Sequence, residues 1–164
     1  MTEPNADSPN DAASDAPDVL TFPPVIFAAF FIIGYVTDRA FPSGIGLSSI
    51  RYGVGGVLIG LSIVLAGWAL AHFARAKTHV DVRKPATSLV TGGPYRLSRN
   101  PMYLALSLLY AGFCVALLLP LTLALLLPCL VVLYRGVIRR EEAYLDRKFG
   151  EAYRNYRSRV RRWL

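Results

Sequence analysis

From Tyr103 to Tyr134 the chain carries no charged side chain. As a single α-helix this block would be about 48 Å long at 1.5 Å per residue. A bilayer's hydrocarbon core is only about 30 Å thick. The block therefore predicts two short helices folded as a hairpin over residues 102–138. Leu119-Pro120-Leu121 marks the turn, because proline removes a helical N–H and crowds the preceding turn. Pro128 is then a kink in the second arm. Two further apolar blocks precede the hairpin. Phe22 to Val36 opens on Pro23-Pro24, which suit a first helical turn, and closes at Asp38 and Arg39. Tyr52 to Phe73 contains Gly53, Gly55, Gly56, Gly60 and Gly67, and small residues at that density let helices approach closely in lipid. Gly56 and Gly60 have GxxxG spacing, read as tight packing within this chain in preference to dimerisation. The expected fold is an all-α integral membrane protein with about four transmembrane helices. With 164 residues, 54% of them hydrophobic, the chain suffices for one such unit.

The charges order these spans. The first twenty-two residues hold five acids and no Lys or Arg, and residues 1–21 read as a disordered acidic tail. Residues 22–74 hold two spans, and residues 75–164 a polar loop, the hairpin and a C-terminal helix. With four spans, sixteen of the eighteen Lys and Arg fall on one side, leaving Arg39 and Arg51 on the other. The positive-inside rule then places both termini in the cytoplasm, with a bacterial inner membrane as the expected location. From Arg135 onward there are ten bases against four acids. Beside apolar spans such a cluster suits anionic lipid headgroups, and no motif supports nucleic-acid binding. Leu145, Phe149, Ala152, Tyr156, Val160 and Trp163 recur at helical spacing, which predicts an amphipathic helix on the membrane interface with a bend at Gly150. No leader with a positive n-region is evident. Cys114 and Cys129 lie inside apolar blocks and read as packing residues, while His72 and His79 have no metal-ligand spacing and read as interfacial.

Two polar segments flank the hairpin. Gly92-Gly93-Pro94-Tyr95-Arg96-Leu97-Ser98-Arg99-Asn100-Pro101-Met102-Tyr103 leads into it, with Pro101 at a helix start and Asn100 able to cap it. Free amides there, with Arg96 and Arg99, suit an anion; the bland alternative is arginines snorkelling to lipid phosphates. Beyond the hairpin stand Glu141 and Glu142. Acids beside a span tend to have partners, and a local pair of Glu142 with Arg139 is one explanation. The other is a ligand ammonium. An anion site and a cation site together recognise an amino-acid moiety, such as that of S-adenosylmethionine.

Gly93-Pro94-Tyr95-Arg96, Arg99-Asn100-Pro101-Met102-Tyr103, the apolar hairpin, Arg140-Glu141-Glu142, Leu145, Phe149-Gly150, Tyr153 and Tyr156 form an ordered set. It resembles the isoprenylcysteine carboxyl methyltransferase family, a relative of the phospholipid N-methyltransferases, over about residues 72–164. The resemblance implies a small helical bundle that binds S-adenosyl-L-methionine at its cytoplasmic face and methylates a lipophilic or lipidated acceptor. It implies Tyr95, Asn100, Pro101, Tyr103, Glu141 and Glu142 as cofactor-binding residues, Arg96 and Arg99 as residues orienting cofactor or substrate, and Tyr153 and Arg154 as pocket closers. The common family pattern has His where this chain has Asn100. Asn donates and accepts but does not titrate. Methyl transfer to a carboxylate or thiolate needs alignment and desolvation, with no general base. Two other readings stand beside this one: an NADPH-dependent membrane reductase, and a non-catalytic basic scaffold on anionic lipid.

Overall fold

The computed structural model describes residues 22–42, 49–77 and 85–164, and among these every regular element is helical. Helix α1 spans Pro23–Ala40 and α2 spans Ile50–Arg75. A 3₁₀ turn at Gly93–Arg96 leads into α3, Pro101–Leu117. The hairpin's second arm is α4 (Pro120–Ala124), α5 (Leu126–Leu133), a π-helical turn (Tyr134–Ile138) and α6 (Arg139–Phe149). Helix α7, Glu151–Arg159, follows the bend. The expected acidic tail and His79 lie outside the described residues.

The first arm, α3, is a 17-residue apolar helix, at the short end of what a bilayer needs. The second arm is a 30-residue helical run. The turn falls where Pro120 puts it. Leu118 is left-handed (φ 54°), Leu119 donates its N–H to the Cys114 carbonyl at 2.9 Å, and Pro120 starts the next helix at its first position. Pro128 also acts as expected. It has no N–H for the Ala124 carbonyl, and the helix is interrupted at Leu125.

Asp38, read from the sequence only as the close of the first span, proves to organise the hairpin's outer end. Its side chain is buried at the foot of α1 and caps α4 from outside that helix. It accepts the Leu121 N–H at 3.1 Å, the Thr122 N–H at 2.8 Å and the Thr122 hydroxyl at 2.6 Å. These are amides that a helix start leaves without intrahelical partners. Gly34 allows the approach, since a Cβ there would sit 2.6 Å from the Thr122 Cα. Tyr110 completes the corner by donating its hydroxyl to the Thr122 carbonyl at 2.8 Å. From this corner along the hairpin to the π-helical turn, Ile26, Phe27, Tyr103, Tyr110, Cys114, Leu119, Cys129, Leu133, Val137 and Ile138 form the core.

Helix α2 packs along α3, but not through Gly56 and Gly60. Space is open around those two, and around Gly53 and Gly67. The buried face of α2 is Gly55, Ser62 and Ala69, small residues seven apart, as in a coiled-coil seam. At Gly55 an added Cβ would meet the Gly112 carbonyl oxygen at 2.8 Å, and Ser62 donates its hydroxyl to the Ala105 carbonyl at 2.7 Å.

The predicted C-terminal helix is also revised. It bends at Gly150 (φ 52°) as expected, but ends at Arg159, with Val160 extended. Its buried side chains are Tyr144 and Tyr153, which lie outside the apolar pattern read from the sequence. Val160 and Trp163 belong to a non-helical C-terminal strap, residues 160–164, and Trp163 packs onto the core.

Unfolding midpoints in detergent test this packing. Asp38→Ala strands buried donors at the start of α4 and should lower the midpoint, at a cost of about 2 kcal/mol. Gly55→Ala should destabilise because its methyl meets backbone. Gly60→Ala should hold or raise the midpoint, since the site is open and alanine is the better helix former by about 1 kcal/mol.

Candidate active site

The polar segment before the hairpin is shaped by its glycines and proline. Gly93 has φ +58°, and the His72 ring lies where its Cβ would stand. His72 is itself fixed by a 3.0 Å hydrogen bond between Nδ1 and the Trp68 carbonyl. Any larger residue at position 93 would be strained in backbone and would displace that ring. The 3₁₀ turn buries Pro94 and Tyr95 and leaves Arg96 and Leu97 exposed. The Tyr95 ring stands edge-on to Phe73 at 5.5 Å, and its carbonyl accepts the Tyr156 hydroxyl at 2.7 Å.

Asn100 precedes Pro101, but its side chain does not cap α3. Its backbone N–H goes to the Ser98 hydroxyl oxygen at 3.1 Å. Its side-chain amide donates to the Arg162 carbonyl at 2.9 Å, in the C-terminal strap. The same carbonyl accepts the Ser98 hydroxyl at 3.2 Å, and the Arg161 carbonyl accepts the Arg99 N–H at 3.0 Å. The strap thus runs beside residues 98–100 and takes their donors.

The π-helical turn sets the other half of the site. One extra residue per turn rotates the downstream residues by about 100° relative to a continuous α-helix. Immediately after the turn come Glu141 and Glu142, and they have different partners. Glu141 accepts the Tyr103 hydroxyl at 2.8 Å. Glu142 holds two guanidiniums. Arg99 Nη1 lies 3.0 Å from Oε1, and Arg162 donates through Nε at 2.9 Å and Nη2 at 2.8 Å. The local pairing of Glu142 with Arg139 weighed from the sequence is not among these bonds. Arg162 also stacks over the Tyr134 ring at 5.0 Å, and the Tyr153 hydroxyl lies 3.4 Å from Arg99 Nη1.

The electrostatics follow from burial. The Arg99 and Glu142 side chains are 9% and 12% exposed. Two guanidiniums against one carboxylate leave this cluster with a net positive charge. Arg99 Nε is buried without a hydrogen-bond partner. The hydrogen bond to Glu142 raises the Arg162 guanidinium above its ordinary value, so it stays charged. Burial first, then the charge of Glu141, raises the Tyr95 phenol; burial first, then Glu142, raises Tyr153. Both remain neutral hydroxyls at physiological pH.

Of the residues read as a site, Tyr95, Arg99, Asn100, Pro101, Tyr103, Glu141, Glu142 and Tyr153 gather where the 98–100 segment, the start of α3, α6 and α7 meet. Arg96 points to the surface. Arg154 is exposed, with its Nε 3.8 Å from an Asp146 carboxylate oxygen. Sequence reasoning missed Arg162, Ser98 and the support given by His72. Arg162 was hidden inside a helical pattern, and the bonds that place it run through backbone carbonyls. Among the described residues no cluster of His, Cys, Asp or Glu could hold a metal.

The two glutamates should separate in experiment. Glu142→Gln leaves buried arginines without their charge partner and should cost about 3 kcal/mol of stability. Tyr103→Phe removes one hydrogen bond and should cost about 1 kcal/mol. Unfolding midpoints in detergent read both, and equal losses would contradict the assignment of Glu142 as the tie.

A family model described as phospholipid methyltransferase matches residues 50–152. The match takes in α2, the 3₁₀ turn, the hairpin and both glutamates, and ends before Arg154 and the C-terminal strap. Over 35 residues the chain is 51% identical to an uncharacterized protein of Haemophilus influenzae, a stretch covering 21% of this chain and 56% of that protein. The chain thus spans little more than half the length of that relative. Since the matched residues make up more than half of it, this integral membrane chain belongs to the phospholipid methyltransferase family.

Proposed function

We propose that the protein is a membrane-embedded methyltransferase that uses S-adenosyl-L-methionine and acts on a lipophilic acceptor carrying a carboxylate, thiol or amine. The observation that carries this reading is the division of labour between the paired glutamates. Glu142 is committed to two arginines, Arg99 and Arg162, whereas Glu141 accepts a neutral hydroxyl from Tyr103. A cationic group suits Glu141, and an anionic group suits the positive cluster at Arg99, whose Nε–H is a buried donor in need of an acceptor. A molecule with an ammonium and a carboxylate on one carbon, and a positive sulfur nearby, matches that pattern.

When bound, S-adenosylmethionine supplies an electrophilic methyl group on sulfur. The chain's own residues would then bind and align. Glu141 would take the cationic end, and Arg99 the carboxylate. Tyr95 and Tyr103 would supply neutral hydroxyls and aromatic faces. Catalysis of this kind rests on alignment and exclusion of water. The site is suited to it, with buried tyrosines on three elements. The acceptor would approach from the bilayer, with the site on the cytoplasmic side where the bases concentrate.

Calorimetry of the purified protein with S-adenosylhomocysteine tests the reading. Wild type should bind, and Glu141→Gln should bind at least tenfold more weakly, about 1.4 kcal/mol. No binding by wild type, or equal binding by the variant, would overturn it. Oxidation of NADPH with candidate acceptors would instead favour the reductase alternative.

A further inference from the structure

The C-terminal strap lies beyond the residues matched by the family model, yet it supplies one of the two guanidiniums on Glu142. Arg162 occupies both oxygens of that carboxylate, through Nε at 2.9 Å and Nη2 at 2.8 Å. Arg99 is left with one contact, Nη1 to Oε1 at 3.0 Å. Its Nε therefore stays buried and unpartnered. An arginine facing a carboxylate alone prefers a two-bond fork through two of its nitrogens. The fork is present here, but Arg162 makes it.

We propose that Arg162 is a positioning residue: by taking the fork on Glu142 it keeps the Arg99 Nε–H free and the cluster net positive, creating a site for an oxyanion, either a carboxylate or a phosphate. The strap seats Arg162 for this task. Its carbonyls accept from Arg99, Ser98 and Asn100, its guanidinium lies over Tyr134, and Trp163 packs into the core. Removing Arg162 lets Arg99 close onto Glu142 as a neutral fork, and the spare donor disappears. Where the oxyanion is the carboxylate of the cofactor, the inference rests on the methyltransferase reading. Where it is a lipid phosphate, it does not.

The test compares paired ligands that differ only in the oxyanion. Wild type, Arg162→Gln and, as a surface control on α7, Arg157→Gln are titrated with S-adenosylhomocysteine and with its decarboxylated analogue. Retention of phosphatidic acid over diacylglycerol is read in parallel by native mass spectrometry. Wild type and Arg157→Gln should favour the oxyanion-bearing partner of at least one pair by about tenfold. Arg162→Gln should lose that preference by losing the oxyanion-bearing ligand alone. A preference retained in Arg162→Gln overturns the proposal, as does an equal loss of both ligands of a pair, or no preference by wild type in either pair. If wild type binds neither nucleoside, the methyltransferase reading fails and the lipid pair alone decides the role of Arg162. Should Arg162→Gln lower the unfolding midpoint too far for titration, Arg162→Lys keeps the charge but not the fork. It should then show an intermediate preference, and a full one would overturn the proposal.

Discussion

The carboxylate of Glu142 joins three segments that are far apart in the chain. It stands on α6, pairs with Arg99 from the loop before the hairpin, and is clasped by Arg162 from the strap. A buried charge with a single partner seldom repays its desolvation, and removing one partner is costlier than never having made the pair. With two guanidiniums and a stacked tyrosine around it, the group is instead a branch point. Tyr95, Tyr103 and Tyr153 are arranged about this centre, and the Tyr103–Glu141 and Tyr156–Tyr95 hydrogen bonds tie the same segments together.

A second carboxylate does the corresponding work at the far end. Asp38 binds the first amides of α4, where the hairpin turns. The second arm is thus pinned at both ends by carboxylates, one donated by α1 and one its own. Between those pins the second arm packs mainly through apolar side chains such as Cys129, Leu133 and Val137, while Gly34 lets α1 approach at Thr122 and Gly55 lets α2 approach the first arm. Lipid solvates leucine as well as a protein interior does, so apolar burial gives little drive for helices to associate within the bilayer. The polar pins and the small-residue seam supply geometry that apolar burial alone would leave loose.

These features were legible to different degrees. The hairpin followed from one length mismatch and one proline, because a bilayer restricts what an uncharged block of that size can do. The grouping of the Gly92–Tyr103 segment with Glu141 and Glu142 followed from spacing and resemblance. The α2 seam was misread. Gly56 and Gly60 match a familiar spacing, but five glycines on one helix present several faces, and only the partner helix selects Gly55. Asp38 looked like a span boundary because a cap donated from another helix leaves no local pattern. The strap was least legible. Its hydrogen bonds to residues 98–100 use main-chain carbonyls, which every residue possesses, and Arg162 stood beside another arginine in a basic stretch.

Position 100 illustrates how the structure alters a reading based on side-chain chemistry. The resemblance read from the sequence implies histidine there, and asparagine in its place reads from chemistry alone as a lost proton acceptor. In this fold the side chain at position 100 donates to the Arg162 carbonyl. An imidazole N–H and a carboxamide N–H both satisfy a backbone acceptor. Asn100 supplies such a donor beside Pro101, with its backbone at φ −128° and ψ 52°. Its job is to hold the strap, and through the strap to hold Arg162 against Glu142. The asparagine therefore ties the segment before α3 to the strap through a bond that does not depend on titration.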